Sequence, residues 1–434
     1  MKRIVPCSLL ILFSNLLVTG ASATESTESS RSAIRETHSE SPVNTSPEEE
    51  ENRLTKNWGG FRSRLSAQGV DLGLIYKGQY DSLRSGGLEP GSLYVQNIDL
   101  RLALDLEKLA GWTGGSMFFY GLFNHGGETS SRVGDEQVTS NIESPKDLNK
   151  LYEAWLQQTF FDGKVSVLAG LHDLNSEFYV TDTSTLFFNS SFGVGRELSQ
   201  TGAQGPSIFP TAATSLRIRT EPTQSFYFQF GIFNAVASEL EKTAEFRFKG
   251  SDGALLISEM AYHGSPTADG AGTPHSFKYA LGFWAYSTTS DHLLSSIDPA
   301  HTKSVNQGAY LLIDQGLTSH LSAFARYGIA NTEINPISSN LSGGVVYTGL
   351  IPTRDQDRLG FGVTHVRSGS EYKTLSQAAE SPVLNAETTF ELNYRFEAIP
   401  GIAVQPDVQW VKNPSADPAV GNATVLSARL EISL

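Results

Sequence analysis

From Glu387 to Leu434 the chain alternates apolar and polar residues in three successive segments. In the first, Phe390, Leu392, Tyr394 and Phe396 hold one parity, and Glu391, Asn393, Arg395 and Glu397 the other. Successive side chains of a strand point to opposite faces, so the pattern predicts strands with one apolar and one wettable wall. The split recurs in Ile402, Val404, Val408 and Trp410 against Gln405, Asp407 and Gln409. It recurs again in Leu426, Ala428, Leu430, Ile432 and Leu434 against Ser427, Arg429, Glu431 and Ser433. Two environments fit such walls: a second sheet covering the apolar face in water, or lipid outside and a wet lumen inside. The local pattern does not choose between them.

Carried along the chain, the same reading predicts strands over 70–80, 93–107, 114–124, 150–160, 164–172, 213–220, 224–235, 253–263, 276–287, 305–315, 320–331, 342–350, 356–367, 387–398, 401–411 and 422–434. Their even number and the rhythm of their connections favour the lumen. Asp162-Gly163, Glu221-Pro222-Thr223 and Pro400-Gly401 are tight turns, whereas 125–149, 173–212 and 368–386 are long and polar. Short turns on one rim and long loops on the other are what insertion of a barrel into a membrane produces. Upstream, Phe61, Leu65 and the stop at Gly69 suit a short amphipathic helix feeding the first strand. The expected fold is all-β: an antiparallel transmembrane β-barrel of about sixteen strands with a short N-terminal amphipathic helix.

Composition narrows the setting. Met1 to Ala23 has Lys2 and Arg3, an apolar run from Leu9 to Val18, and Ala21-Ser22-Ala23, the three parts of a cleaved secretory signal. The run is too short, and too broken by Ser14 and Asn15, for a membrane-anchoring helix. Cys7 is the chain's one cysteine and is expected to leave with the signal, so neither disulfides nor thiolate metal sites are expected in the mature protein. The formal charge of −14 becomes two charges more negative on cleavage, which disfavours nucleic acid as a partner. Residues 24–56, rich in Ser, Thr and Glu with the run Glu48 to Glu51, read as a disordered acidic lead-in, a solvated spacer or an arm for a periplasmic partner. The barrel domain is expected over 57–434.

Several motifs resemble the carbohydrate-selective outer-membrane porins, the OprB-like family. They are Leu151-Tyr152-Glu153-Ala154-Trp155, Phe160-Phe161-Asp162-Gly163-Lys164, Gly170-Leu171-His172-Asp173, Ser176-Glu177-Phe178 and Leu186-Phe187-Phe188-Asn189-Ser190-Ser191-Phe192-Gly193. Asn57-Trp58-Gly59-Gly60, Gly349-Leu350-Ile351-Pro352 and Gln405-Pro406-Asp407 extend the likeness over essentially everything from Asn57 to Leu434. The resemblance implies a sixteen-stranded barrel in the bacterial outer membrane that passes small sugars by diffusion without energy input. It implies insertion by the barrel assembly machinery into outer-membrane lipid, as a monomer or a homotrimer. Such barrels commonly end in an aromatic residue, and this chain ends in Leu434, so recognition during insertion is expected to be weaker or differently tuned.

Sugars ask for hydrogen bonds in both directions and for aromatic faces. By strand parity the candidate pore-lining residues are Asp99, Arg101, Glu153, Arg217, Arg219, Glu391, Arg395, Asp407 and Arg429. The bland reading of each is an ion pair lining any wet barrel. The 173–212 connection carries Phe178, Tyr179, Leu186, Phe187, Phe188 and Phe192, too many apolar groups to hang in water, and is expected to fold inward as a constriction. Asp173, Glu177 and Asn189 are its candidate anchors.

No nucleophile elbow, zinc-protease motif, P-loop or dinucleotide fingerprint occurs, so neither enzyme activity nor a metal or cofactor is expected. The alternatives left open are a secreted soluble carbohydrate-binding β-sandwich and an outer-membrane barrel hydrolase using a carboxylate pair.

Overall fold

The structure, a computed structural model, describes residues 53–266 and 275–434. The expected signal (1–23) and most of the acidic lead-in lie outside the described residues. Sixteen strands follow in chain order: β1 Val70–Gly87, β2 Gly91–Asp105, β3 Gly115–Gly126, β4 Leu148–Phe160, β5 Val165–His172, β6 Ala213–Thr223, β7 Phe226–Asn234, β8 Ala254–Gly264, β9 Phe277–Ser290, β10 Ser304–Gly316, β11 Leu321–Ala330, β12 Ile337–Thr348, β13 Arg358–Ser368, β14 Ala386–Ile399, β15 Ile402–Lys412 and β16 Gly421–Ser433. Each pairs antiparallel with its neighbour in sequence, and β1 pairs with β16 through contacts such as Gln79 with Arg429, so the sheet closes on itself. Closure leaves no unpaired edge, which is what a sheet surrounded by lipid requires.

The alternation read from the sequence divides the two faces. On β14, Glu387, Thr389, Glu391 and Asn393 are buried inside, while Leu392 is exposed outside. On β16, Val425, Ser427 and Arg429 point in and Leu426 and Leu430 point out. Aromatic runs are split by the same rule: Tyr227 faces the interior, and Phe226 and Phe228 face outward.

All sixteen predicted strands are present, with the largest boundary differences at two polar strand ends. β1 continues to Gly87, because Asp81 faces the interior and takes hydrogen bonds from Gln79 (2.8 Å) and Thr129 (2.5 Å). β12 begins at Ile337, because Asn340 is likewise bonded inside, to Ser342 and Thr364. The helix α1, Phe61–Ala67, precedes β1 and is tied to it by Arg62, whose Nη1 donates to the Leu72 carbonyl at 2.7 Å. The Leu54 N–H donates to the Ser433 carbonyl at 2.8 Å, which places the start of the described chain on the short-turn rim, beside the end of β16.

Candidate functional site: the lumen and its inward loops

Backbone carried into the interior of a barrel has N–H and C=O groups that the strand ladders cannot satisfy, so the wall must supply partners. The 173–212 segment between β5 and β6 is held in this way, strand after strand. Glu153 of β4 accepts the Asp173 N–H at 3.1 Å, and Gln229 of β7 donates to the Glu177 carbonyl at 3.0 Å. Glu259 of β8 accepts the Tyr179 N–H, and Asp314 of β10 the Thr183 N–H, both at 2.9 Å. Gln405 of β15 donates to the Leu186 carbonyl at 2.7 Å, and Glu391 of β14 accepts the N–H groups of Phe188 and Asn189 at 2.6 and 3.0 Å. On the way back, Arg326 of β11 donates to the carbonyls of Tyr179 and Gly193, and Asn340 of β12 accepts the Arg196 N–H at 3.0 Å. The loop therefore crosses the lumen from β4 to β14 and returns.

Its apolar residues make a core inside the barrel. Phe178, Tyr179, Val194 and Leu198 pack against Tyr227, Phe233, Ile257, Trp284 and Tyr310, while Leu186, Phe187 and Phe192 pack against Phe324 and Val346. Room for the second group comes from lumen-facing glycines of β13. A Cβ on Gly362 would sit 2.8 Å from the rings of both Phe187 and Phe192, and one on Gly360 2.8 Å from Leu186. These glycines serve by lacking a side chain where a loop must lie against the wall.

A second connection, 127–147 between β3 and β4, also turns inward and clasps the first. The Asn141 N–H donates to the Phe188 carbonyl at 2.7 Å, and the Ser190 N–H to the Val138 carbonyl at 2.9 Å. Glu387 of β14 accepts the N–H groups of Glu136 and Gln137 at 2.7 and 3.0 Å, and Gln409 of β15 donates to the Thr139 carbonyl at 2.8 Å. In sequence this connection reads as long and polar, with nothing that marks an inward turn, and Glu259, Asp314, Arg326 and Glu387 are not among the candidates, although each stands on the interior parity of its strand.

The predicted residues take different positions. Asp99 is buried, 3.2 Å from the Lys77 ammonium, and accepts the Tyr120 hydroxyl at 2.7 Å. The Arg101 guanidinium lies 5.2 Å from the Tyr120 ring centre, and with Glu153, Trp155, His172 and Glu177 it borders a cavity of about 20 Å³, room for about one water. Arg217, 2% exposed, donates to both oxygens of Glu177 at 2.5 and 2.6 Å and to Gln157 at 2.7 Å. Arg219 pairs with Glu221 at 2.7 Å and lies 3.9 Å over the Tyr227 ring. Arg395 pairs with Glu431 at 2.9 Å, and Asp407 is buried beside Gln409. Arg429 donates to Asn141 at 2.7 Å and stacks 3.8 Å from the Phe188 ring. Asp173 accepts the Asn175 N–H at 2.8 Å and Asn189 the Ser191 N–H at 3.0 Å, each closing a single helical turn of the loop. Glu391 and Arg429 thus meet the tip of the loop, Asp407 stays beside Gln409 on β15, and Arg395 and its partner Glu431 remain about one-fifth exposed.

Loop carboxyls respond to this setting. Burial raises Asp173 to about 6 and Glu197 to about 7, although the Tyr179 hydroxyl donates to Glu197 at 2.8 Å and lowers it in part. Burial also pushes Glu177 up, but Arg217, then His172, outweigh it and hold the carboxyl below its usual range. Ser176 Oγ lies 2.9 Å from His172 Nε2, yet among the described residues His172 Nδ1 has no hydrogen-bond partner, so the carboxylate that would orient a catalytic imidazole is missing. Among the described residues no cluster of metal-ligating side chains occurs. What the interior offers is a wall of donors and acceptors of both signs, packed against an aromatic-rich loop.

Comparison with known proteins gives concordant results. The chain is 25% identical over 420 residues to Porin B of Pseudomonas aeruginosa, covering 86% of this chain and 90% of the relative. It is 21% identical over 415 residues to the putative porin QuiX of Acinetobacter baylyi, covering 87% and 92%. The fold matches the high-pH structure of Pseudomonas putida OprB with a TM-score of 0.79 at 24% identity, over 89% of this chain and 99% of that one. With residues 89–434 matching the family model described as "Carbohydrate-selective porin, OprB family", the chain belongs to the carbohydrate-selective porins of the OprB family.

Proposed function

We propose that the protein is an outer-membrane porin through which small sugars diffuse passively along a polar lumen narrowed by the 173–212 loop. The observation that carries this reading is the Glu391 carboxylate, which caps two backbone N–H groups at the loop tip, while Glu153 of β4 holds the loop's first residue, Asp173. A loop bonded at both sides of a barrel divides its interior, and a lumen narrowed in this way sorts solutes by size. Neutral sugars suit this passage because ion-paired walls, such as Arg395 with Glu431 and Lys77 with Asp99, offer donors and acceptors without a field of one sign.

The reading extends to export through cleavage after Ala23 and to insertion by the barrel assembly machinery with the long loops facing outward. The protein acts as a channel and not as a hydrolase. Reconstitution in liposomes tests it: swelling should be fast in pentoses and hexoses and slower as the sugar grows. Recovery as a soluble periplasmic protein, or liposomes that do not swell in monosaccharides, would sink the proposal.

A further inference from the structure

The barrel wall is uneven. β5 has 8 residues and β7 has 9, against 18 for β1, while a membrane-crossing strand needs roughly 9–11. The low side is crossed on its outside by part of the 235–253 connection between β7 and β8, and strand parity settles that placement. On β6, Ser215 and Arg217 are buried inside and Leu216 and Ile218 are exposed outside, so Thr214 faces outward. On β7, Tyr227, Gln229 and Phe233 are buried inside, so Asn234 faces outward. Both outward side chains grip one residue of the connection: the Arg247 N–H donates to Thr214 Oγ1 at 2.9 Å, and Asn234 Nδ2 donates to the Arg247 carbonyl at 3.3 Å. Further along, the Leu151 N–H of β4 donates to the Thr243 carbonyl at 2.7 Å, beyond the point where β5 has ended.

The segment from Thr243 to Lys249 is therefore a strap on the outer wall. The Arg247 side chain turns to Asp252 at 2.5 Å. The residues on either side of it present their rings away from the strap: Phe246 is 48% exposed and Phe248 78%. A phenyl ring left in water forgoes the free energy of burying its apolar surface. Aromatic rings on the outer wall of a barrel, near its rim, sit at the boundary between lipid headgroups and acyl chains.

We infer that the strap is a lipid-docking element: Phe246 and Phe248 enter the bilayer at the headgroup–acyl boundary and supply the apolar height that β5 lacks beside the short β7. The inference rests on the membrane-barrel reading, so its test carries a control for that reading. The full chain with Cys7→Ser is free of cysteine. Into it are placed, one at a time, Phe248→Cys, Leu430→Cys on the outward face of β16, and Ala419→Cys in the exposed connection before β16. Each is labelled with bimane and reconstituted in phosphatidylcholine vesicles with or without brominated acyl chains. The label at Phe248 should lose at least about half of its emission to bromines placed high on the chain, as Leu430 does to deeper ones, while Ala419 keeps its emission. Phe246→Cys gives the same reading if Phe248→Cys does not fold. A label at either phenylalanine position as bright as that at Ala419, with Leu430 quenched, would overturn the strap. An unquenched Leu430 would instead overturn the membrane-barrel reading.

Discussion

Replacing Glu391 with Ala should open the constriction without unfolding the barrel. The wild-type carboxylate is buried and accepts the N–H groups of Phe188 and Asn189, and also Asn393 Nδ2 at 3.1 Å. Alanine leaves the two backbone donors unpaired, at roughly 1–3 kcal/mol each, so docking of the loop tip should weaken by about 2–6 kcal/mol. Every ~1.4 kcal/mol is a factor of ten in an equilibrium, so the undocked fraction should rise by a factor of roughly 30 or more. The strand ladder of β14 does not depend on this side chain, and Gln405 still holds the Leu186 carbonyl, so the barrel should persist with a looser loop. Planar-bilayer recordings should then show larger and more variable single-channel conductance, and liposome swelling should reach larger sugars. Glu391→Gln, which keeps an acceptor oxygen, should fall between alanine and wild type. A folded Glu391→Ala channel with the conductance and sugar cut-off of the wild type would refute the claim that this carboxylate holds the constriction.

Other perturbations follow from the same geometry. Gly362→Val puts a branched side chain against Phe187 and Phe192 and should cost about 1–3 kcal/mol of loop packing, seen as loss of protection of the 184–193 amides in hydrogen exchange. Arg217→Ala leaves the Glu177 carboxylate buried without its partner and should destabilise by roughly 3–5 kcal/mol in urea titrations at neutral pH; since Arg217 holds that carboxyl low, the deficit should shrink as pH falls and Glu177 takes up a proton. Burial raises Glu197 to about 7, so the folded state keeps a proton that the unfolded chain releases. Wild-type stability should therefore fall by roughly 3 kcal/mol as pH rises from ~4.5 to ~7, because each pH unit across that window is worth ~1.4 kcal/mol, and Glu197→Gln should remove this slope from the urea midpoints. Neutralising Arg101, Arg217 and Arg219 together should raise cation conductance relative to anion conductance, and unchanged reversal potentials in a salt gradient would place all three away from the narrowest point.

The fold was largely legible because each strand carries its own record of which face is apolar, and the strand count and loop rhythm assign that face to lipid. Ile98, Leu100 and Leu102 against Asn97, Asp99 and Arg101 leave one assignment of faces. The strand ends at Asp81 and Asn340 were harder, since polar residues there resemble turns until the inward loops that bond them are known. The 173–212 loop announced itself through its phenylalanines, but its anchors did not. Glu259, Asp314 and Glu391 look alike in sequence, as single carboxylates on an interior parity, and only the course of the loop shows that each caps loop N–H groups. The 127–147 connection was less legible still. It lacks the aromatic excess of the longer loop, and it is held by wall side chains such as Glu387 and Gln409, which in sequence are ordinary interior polar residues, and by backbone bonds to the first loop.

Liposome swelling with neutral sugars of graded size, measured beside Glu391→Ala, tests the central claim most directly. The wild-type channel should pass monosaccharides rapidly and disaccharides poorly, and the variant should narrow that difference. Equal rates for all sugars in the wild type, or no permeation of monosaccharides by a folded barrel, would contradict the account.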